Sequence, residues 1–142
     1  MPATIRLLRP GDEALFLRLA RQFYQSPLSA EQAQALLKRD GHFLLCLLEE
    51  GQPAGFCYFH LLPQWYSGKE EVFLYDIEVE ERHRRKGYGR QLFREAARFA
   101  RDRGASTVWL MVERSNTSAL AFYQALGGSV QEEEGVLVEF KV

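Results

Sequence analysis

The apolar positions along this chain change period several times, and each change marks an element. Ile5 to Leu8 forms a short apolar run that predicts a first strand. The turn Arg9-Pro10-Gly11-Asp12 follows, and Asp12 offers a cap for a helix running to about Tyr24. Within it Leu15, Phe16, Leu19, Ala20 and Phe23 recur at three- and four-residue spacing, the single stripe of a helix that packs by one face. Ser29 offers a similar cap for a second helix from Ala30 to Arg39. The period then shortens. Phe43 to Leu48 and Ala54 to Leu62 are apolar runs separated by Glu49-Glu50-Gly51-Gln52-Pro53, the pattern of an antiparallel hairpin. After a loop carrying Trp65 and Tyr66, Glu71 to Val79 reads as a further strand.

From Gly89 to Asp102 the helical stripe returns in Leu92, Phe93, Ala96, Ala97, Phe99 and Ala100, with arginines between them and a stop near Gly104. Val108 to Val112 reads as a strand, Thr117 to Leu126 as a helix stopped by Gly127-Gly128, and Val136 to Val142 as a closing strand with alternating apolar positions. The order β-α-α-β-β-β-α-β-α-β is that of an α/β protein of the mixed-sheet kind, with helices on both faces. A chain of 142 residues suits one core, so residues 1–142 are expected to form a single domain.

Composition narrows the class of protein. Apolar residues at 46% and charged residues at 26% are ordinary for a globular fold. No apolar run approaches the roughly 20 residues that cross a bilayer, and the first residues lack a charged-then-apolar leader, so a soluble cytoplasmic protein without a membrane partner is expected. Cys46 and Cys57 lie inside apolar runs, where small buried thiols are common. His42, His60 and His83 have no partner at ligand spacing, so no metal is expected. The formal net charge of −1 conceals an uneven distribution, because nine of the 18 Lys and Arg residues fall between Arg82 and Arg103. An overall pI near 6.3, without aromatic-basic interleaving, speaks against a nucleic-acid partner.

The segment richest in chemistry is Arg84-Arg85-Lys86-Gly87-Tyr88-Gly89-Arg90, placed between a strand and a helix. Closely spaced glycines let backbone N–H groups turn toward an anion, and a helix N-terminus adds positive partial charge, so the segment can cradle a pyrophosphate. It is not a P-loop, since no Gly-Lys-Ser/Thr follows, and it lacks the third glycine of a dinucleotide fingerprint.

This turn resembles the Arg/Gln-x-x-Gly-x-Gly/Ala signature of GNAT N-acetyltransferases, with Arg84, Gly87 and Gly89 at the signature positions. The resemblance extends to Asn116 and Tyr123 on the next strand-to-helix unit. It implies a GNAT-like fold: a central, mostly antiparallel twisted sheet with a splayed parallel strand pair. It also implies acetyl-CoA as cosubstrate, its pyrophosphate held by Arg84, Arg85, Lys86, Gly87, Tyr88, Gly89 and Arg90. The pantetheine arm would pair with the strand backbone at Ile77 and Val79, with Asn116 bonding the arm and Tyr123 protonating the departing thiolate. The superfamily also suggests a homodimer.

An attacking amine must lose a proton, and Asp76 and Glu78 are the candidate bases, two apart on one strand and so on one face. His60 is a weaker candidate. Tyr75-Asp76 and His83-Arg84-Arg85 are similar to aminoglycoside 3-N-acetyltransferases, although Glu78 stands where that group has a small residue, Gly89 where it has alanine, and Gly128 where many GNAT proteins have an aromatic. A small polycation such as an aminoglycoside or polyamine is the acceptor this implies, with Asp76 and Glu78 to attract it. Glu132-Glu133-Glu134 reads as a solvated turn. A protein N-terminal acetyltransferase and a non-catalytic acetyl-CoA sensor are the alternatives.

Overall fold

The computed structural model describes residues 2–131 and 135–142; the Glu132-Glu133-Glu134 run lies outside the described residues. The strands are β1 (Thr4–Leu7), β2 (His42–Glu49), β3 (Gln52–Pro63), β4 (Glu70–Val79) and β5 (Ala105–Trp109), and they lie in the sheet in that order. The first four are antiparallel to their neighbours, and β4 and β5 are parallel. The helices are α1 (Glu13–Tyr24), α2 (Ala30–Lys38), α3 (Tyr88–Asp102) and α4 (Thr117–Ala125). The chain as far as Met111 is one compact unit, and Val112–Val142 is a second.

Strand alternation sorts the first unit into two cores. Leu45 and Leu47 of β2, Cys57 and Phe59 of β3, and Val72 and Leu74 of β4 pack against Leu92, Ala96 and Ala100 of α3. On the opposite face Cys46 and Phe56 pack with Leu19, Phe16 and Phe23 of α1 and Leu37 of α2. Helices therefore cover both faces. Cys46 and Cys57 fall on different faces, both buried as free thiols, and burial pushes each up to about 12.

Ser29 caps α2 through a full capping box, its Oγ accepting from the Gln32 N–H at 3.1 Å while Gln32 Oε1 accepts from the Ser29 N–H at 2.9 Å. Asp12 behaves differently from expectation. It stands at the start of α1 but makes no cap bond, because its carboxylate is drawn to the Arg6 guanidinium and to the Arg9 N–H at 2.9 Å.

Two strand expectations are corrected. The strand expected at Val108–Val112 begins at Ala105 and stops at Trp109, where its pairing with β4 ends. The closing strand expected at Val136–Val142 is absent among the described residues, and Val136, Leu137 and Phe140 are exposed. Alternation supplies a face, but a strand also needs a neighbour to take its backbone hydrogen bonds.

Candidate active site

The centre of the site is the place where β4 loses one neighbour and keeps the other. β5 pairs with β4 only through Glu70↔Ala105, Val72↔Val108 and Phe73↔Trp109, whereas β3 follows β4 to Gly55↔Val79. From Leu74 to Val79 the β5-side edge of β4 therefore has no strand partner among the described residues, and the parallel pair splays there. The β3 side stays close because residue 55 is glycine: a Cβ there would lie 2.7 Å from the Glu78 carbonyl oxygen.

Within this stretch β4 carries a bulge. Tyr58 pairs with Asp76 and Phe59 with Leu74, so Tyr75 is an extra residue with no partner on β3. The core-facing positions step from Val72 and Leu74 to Ile77 and Val79, all on the α3 side. Tyr75 and Asp76 are thereby turned together to the α1 side, where both line a cavity of about 270 Å³. Phe16, Leu19, Ala20 and Tyr24 of α1 form one wall. The sheet wall includes His42, Phe56 and Tyr58. Burial raises the Asp76 carboxyl to about 6; the Glu78 charge adds to the effect and the Ile77 N–H opposes it. Glu78 itself is exposed. His60 lies on β3, stacked on Phe73 at 6.3 Å between ring centres, and burial lowers its pKa.

The basic turn follows β4 through a single 3₁₀ turn at Glu81–His83. Arg85 has φ 65° and Gly87 φ 80°, left-handed conformations that fold the backbone over the start of α3. A Cβ at Gly87 would meet no neighbour, so glycine is favoured there by φ alone. Gly87 is the N-cap of α3, makes no side-chain cap bond, and no acidic residue follows in the first turn. The first N–H groups of α3 are therefore available to an anion.

The predicted anion-binding side chains divide into two groups. Arg84 Nε donates to the Val79 carbonyl at 3.0 Å, and Lys86 Nζ to Glu49 Oε1 at 2.9 Å. Tyr88 is buried and its hydroxyl donates to the same Glu49 oxygen at 2.7 Å, which leaves only its backbone to face a ligand. Arg85 and Arg90 are exposed. His83 Nδ1 sits 2.5 Å from Glu49 Oε2 without a directed hydrogen bond. Bonds from Tyr88 and Lys86 hold the Glu49 carboxyl down at about 2, so it is ionised and ties the turn to the end of β2.

In the second unit Asn116 caps α4, its Oδ1 accepting from the Ala119 N–H at 3.1 Å. Tyr123 lies on α4 beside Phe122, ring centres 5.1 Å apart. Gly128 donates its N–H to the Tyr123 carbonyl at 2.9 Å, and a Cβ at Gly128 would stand 2.9 Å from that same oxygen. This close approach accounts for the glycine at this position. Glu49, Tyr58, His42 and the Tyr75 bulge escaped the sequence reading. The signal for Tyr58 was its place with His60 on alternate positions of an otherwise apolar strand.

Compared with known proteins, the profile of the acetyltransferase (GNAT) family matches residues 12–128. The chain belongs to the GNAT acetyltransferase family. As a GNAT protein it is an acyltransferase, and acetyltransferases of this fold use acetyl-CoA. It is similar to the thialysine N-epsilon-acetyltransferase of Bos taurus, 30% identical over 150 aligned positions that cover 92% of this chain and 87% of that one. It is 36% identical to the streptothricin acetyltransferase of Streptomyces lavendulae over 88 residues, 62% of this chain; the match spans only 44% of that relative's length. Its fold matches that of an aminoglycoside acetyltransferase from an uncultured soil metagenomic sample, with TM-score 0.87, 24% identity, and coverage of 99% of this chain and 96% of that one. Among the described residues no three His, Cys, Asp or Glu are grouped to hold a metal ion, and no helix is long and apolar enough to cross a membrane.

Proposed function

We propose that this GNAT protein transfers the acetyl group of acetyl-CoA to a primary amine of a small molecule, as one acetyltransferase domain. The observation that carries the reading is the unpaired edge of β4 from Leu74 to Val79, next to a glycine-capped cationic turn. The N–H groups of Gly87, Tyr88, Gly89 and Arg90 hold the pyrophosphate, with Arg84, Arg85 and Lys86 adding charge. Lys86 exchanges Glu49 for phosphate or shares it. The pantetheine arm lies along Ile77 and Val79, and the Val79 N–H polarises the thioester carbonyl. Arg84, bonded to the Val79 carbonyl, steadies the next peptide, Val79–Glu80, at the end of the strand. Asn116 bonds the cofactor arm.

Asp76 first takes a proton from the bound ammonium, freeing the nitrogen lone pair that attacks the carbonyl carbon; as the C–S bond breaks, Tyr123 gives its proton to the thiolate and takes up the second proton shed by the new amide nitrogen. Asp76 suits this role better than Glu78, because a carboxyl near 6 is both ionised at neutral pH and a stronger base than an ordinary one. Glu78 raises the Asp76 pKa and attracts the cationic substrate. The names of the relatives support amine acceptors, thialysine and streptothricin among them. Two carboxylates on one face concentrate cationic amines, a class that spans aminoglycosides, polyamines and monoamines. The buried free thiols of Cys46 and Cys57 are in keeping with a reducing cytoplasm, and the family resemblance supports a homodimer.

The test is release of coenzyme A thiol from acetyl-CoA across aminoglycosides, polyamines, simple alkyl- and arylalkylamines, amino acids and N-terminal peptides, with calorimetric binding of coenzyme A. Turnover of a small amine supports the reading. Turnover of peptides alone replaces it with a protein acetyltransferase, binding without any turnover replaces it with a sensor, and no binding removes the assignment of the Arg84–Arg90 turn.

A further inference from the structure

We infer that the cavity between α1, α2 and the sheet receives the body of the acceptor, and that the acceptor is a primary amine bearing one ammonium group on an apolar aliphatic or aromatic frame. The inference rests on the acetyltransferase reading and narrows it. Asp76 is the one charged side chain among the described residues that line this cavity. The wall opposite is mostly hydrocarbon and ring: Phe16, Leu19, Ala20 and Tyr24, of which only Tyr24 carries a hydroxyl. A second ammonium inside would meet no counter-charge, and most of the hydroxyls of a sugar would lie against carbon.

Besides Asp76 and the hydroxyls of Tyr24 and Tyr75, the cavity is lined by a polar pair, Tyr58 and His42, whose polarity follows from a relay. The Leu36 carbonyl can only accept, so the His42 proton lies on Nε2, 2.7 Å from that oxygen. When the ring carries that proton alone, Nδ1 is an acceptor, and the Tyr58 hydroxyl donates to it at 2.8 Å. With its proton spent on His42, the Tyr58 oxygen presents lone pairs. Tyr58 is the cross-strand partner of Asp76 and lines the same cavity. An ammonium beside them meets one carboxylate and one acceptor oxygen, with Tyr75 on the same wall to stack on a cation. At roughly 30 Å³ for a water-sized group, about 270 Å³ admits a frame of about nine non-hydrogen atoms.

The experiment measures kcat/KM for linear alkylamines of increasing length and for 2-phenylethylamine, against spermidine and sisomicin. Along the alkyl series kcat/KM should rise about fourfold per methylene until the cavity is filled, and the polycations should be slower than 2-phenylethylamine. Ala20→Phe, which puts a ring into the same space, should lower kcat/KM for 2-phenylethylamine by at least about tenfold while leaving the KM for acetyl-CoA unchanged. Tyr58→Phe keeps the ring and loses the acceptor oxygen, so it should raise the KM for amines about tenfold with little change in kcat. A flat alkyl series, or faster transfer to spermidine or sisomicin, overturns the inference and leaves the acetyltransferase reading standing. Release of no thiol with any amine overturns both.

Discussion

Replacing Asp76 by Asn tests the central residue in two independent ways. The folded protein raises this carboxyl from 3.8 to about 6, so it holds the proton more tightly than the unfolded chain does. Below pH 3.8 both states are protonated and the site is neutral in its effect on stability. Between pH 3.8 and 6 stability is progressively lost as the unfolded chain ionises first, and above pH 6 the full cost is present. At about 1.4 kcal/mol per pKa unit that cost is about 3 kcal/mol before screening, and water at the cavity mouth reduces it to about 1–2 kcal/mol. Asn matches the neutral acid in shape and never ionises. Asp76→Asn should therefore leave Tm near wild type at pH 4 and raise it by about 3–8 °C at pH 8. The same variant should lose about 10²- to 10⁴-fold in kcat. In the wild type kcat/KM should fall about tenfold per pH unit below about 6, since the substrate ammonium titrates far above this window. Scanning calorimetry at both pH values and a pH profile of thiol release read the two effects. A Tm gain equal at pH 4 and pH 8 would refute the raised carboxyl, and near wild-type turnover would refute the base.

Gly87→Glu forces a side chain into φ 80° and sets a negative charge at the N-cap of α3, so calorimetric titration should show coenzyme A binding abolished. Tyr123→Phe should lower kcat about a hundredfold while the dissociation constant of coenzyme A changes little; unchanged turnover would remove Tyr123 from the mechanism. Glu49→Gln removes the charge that anchors Lys86 and Tyr88, and should raise the KM for acetyl-CoA several-fold with kcat preserved. An unaltered KM would show that the turn keeps its shape without that anchor.

What could be read from the sequence was local or periodic. The stripe of α3, the cap at Ser29 and the glycine before α3 each depend on residues within a few positions of one another, and the structure places the first two as expected. Asp12 differed because Arg6, six residues away, outbid the backbone N–H groups of α1 for its carboxylate. The end of β5 could not be read from Val108 to Val112, because it is set by where β4 turns away. The exposed Val136–Val142 segment shows the same dependence, since a strand pattern is only half of a strand.

The Tyr75 bulge is the feature on which the site depends most, and no local pattern announces it. Regular alternation from Val72 and Leu74 would send residue 76 into the α3 core and leave Ile77 and Val79 on opposite sides of their present places. One unpaired residue reverses this: Ile77 and Val79 rejoin the core, and Asp76 faces the cavity with Tyr75 beside it. The strand loses its β5 neighbour over the same stretch, beyond Phe73. On the proposed mechanism, a bulged, half-paired strand gives one short segment both an unpaired backbone edge for the acetyl donor and a half-buried carboxylate for the amine. Its cost, a charged carboxyl held partly out of water, is the quantity that Asp76→Asn would recover as stability at the expense of turnover.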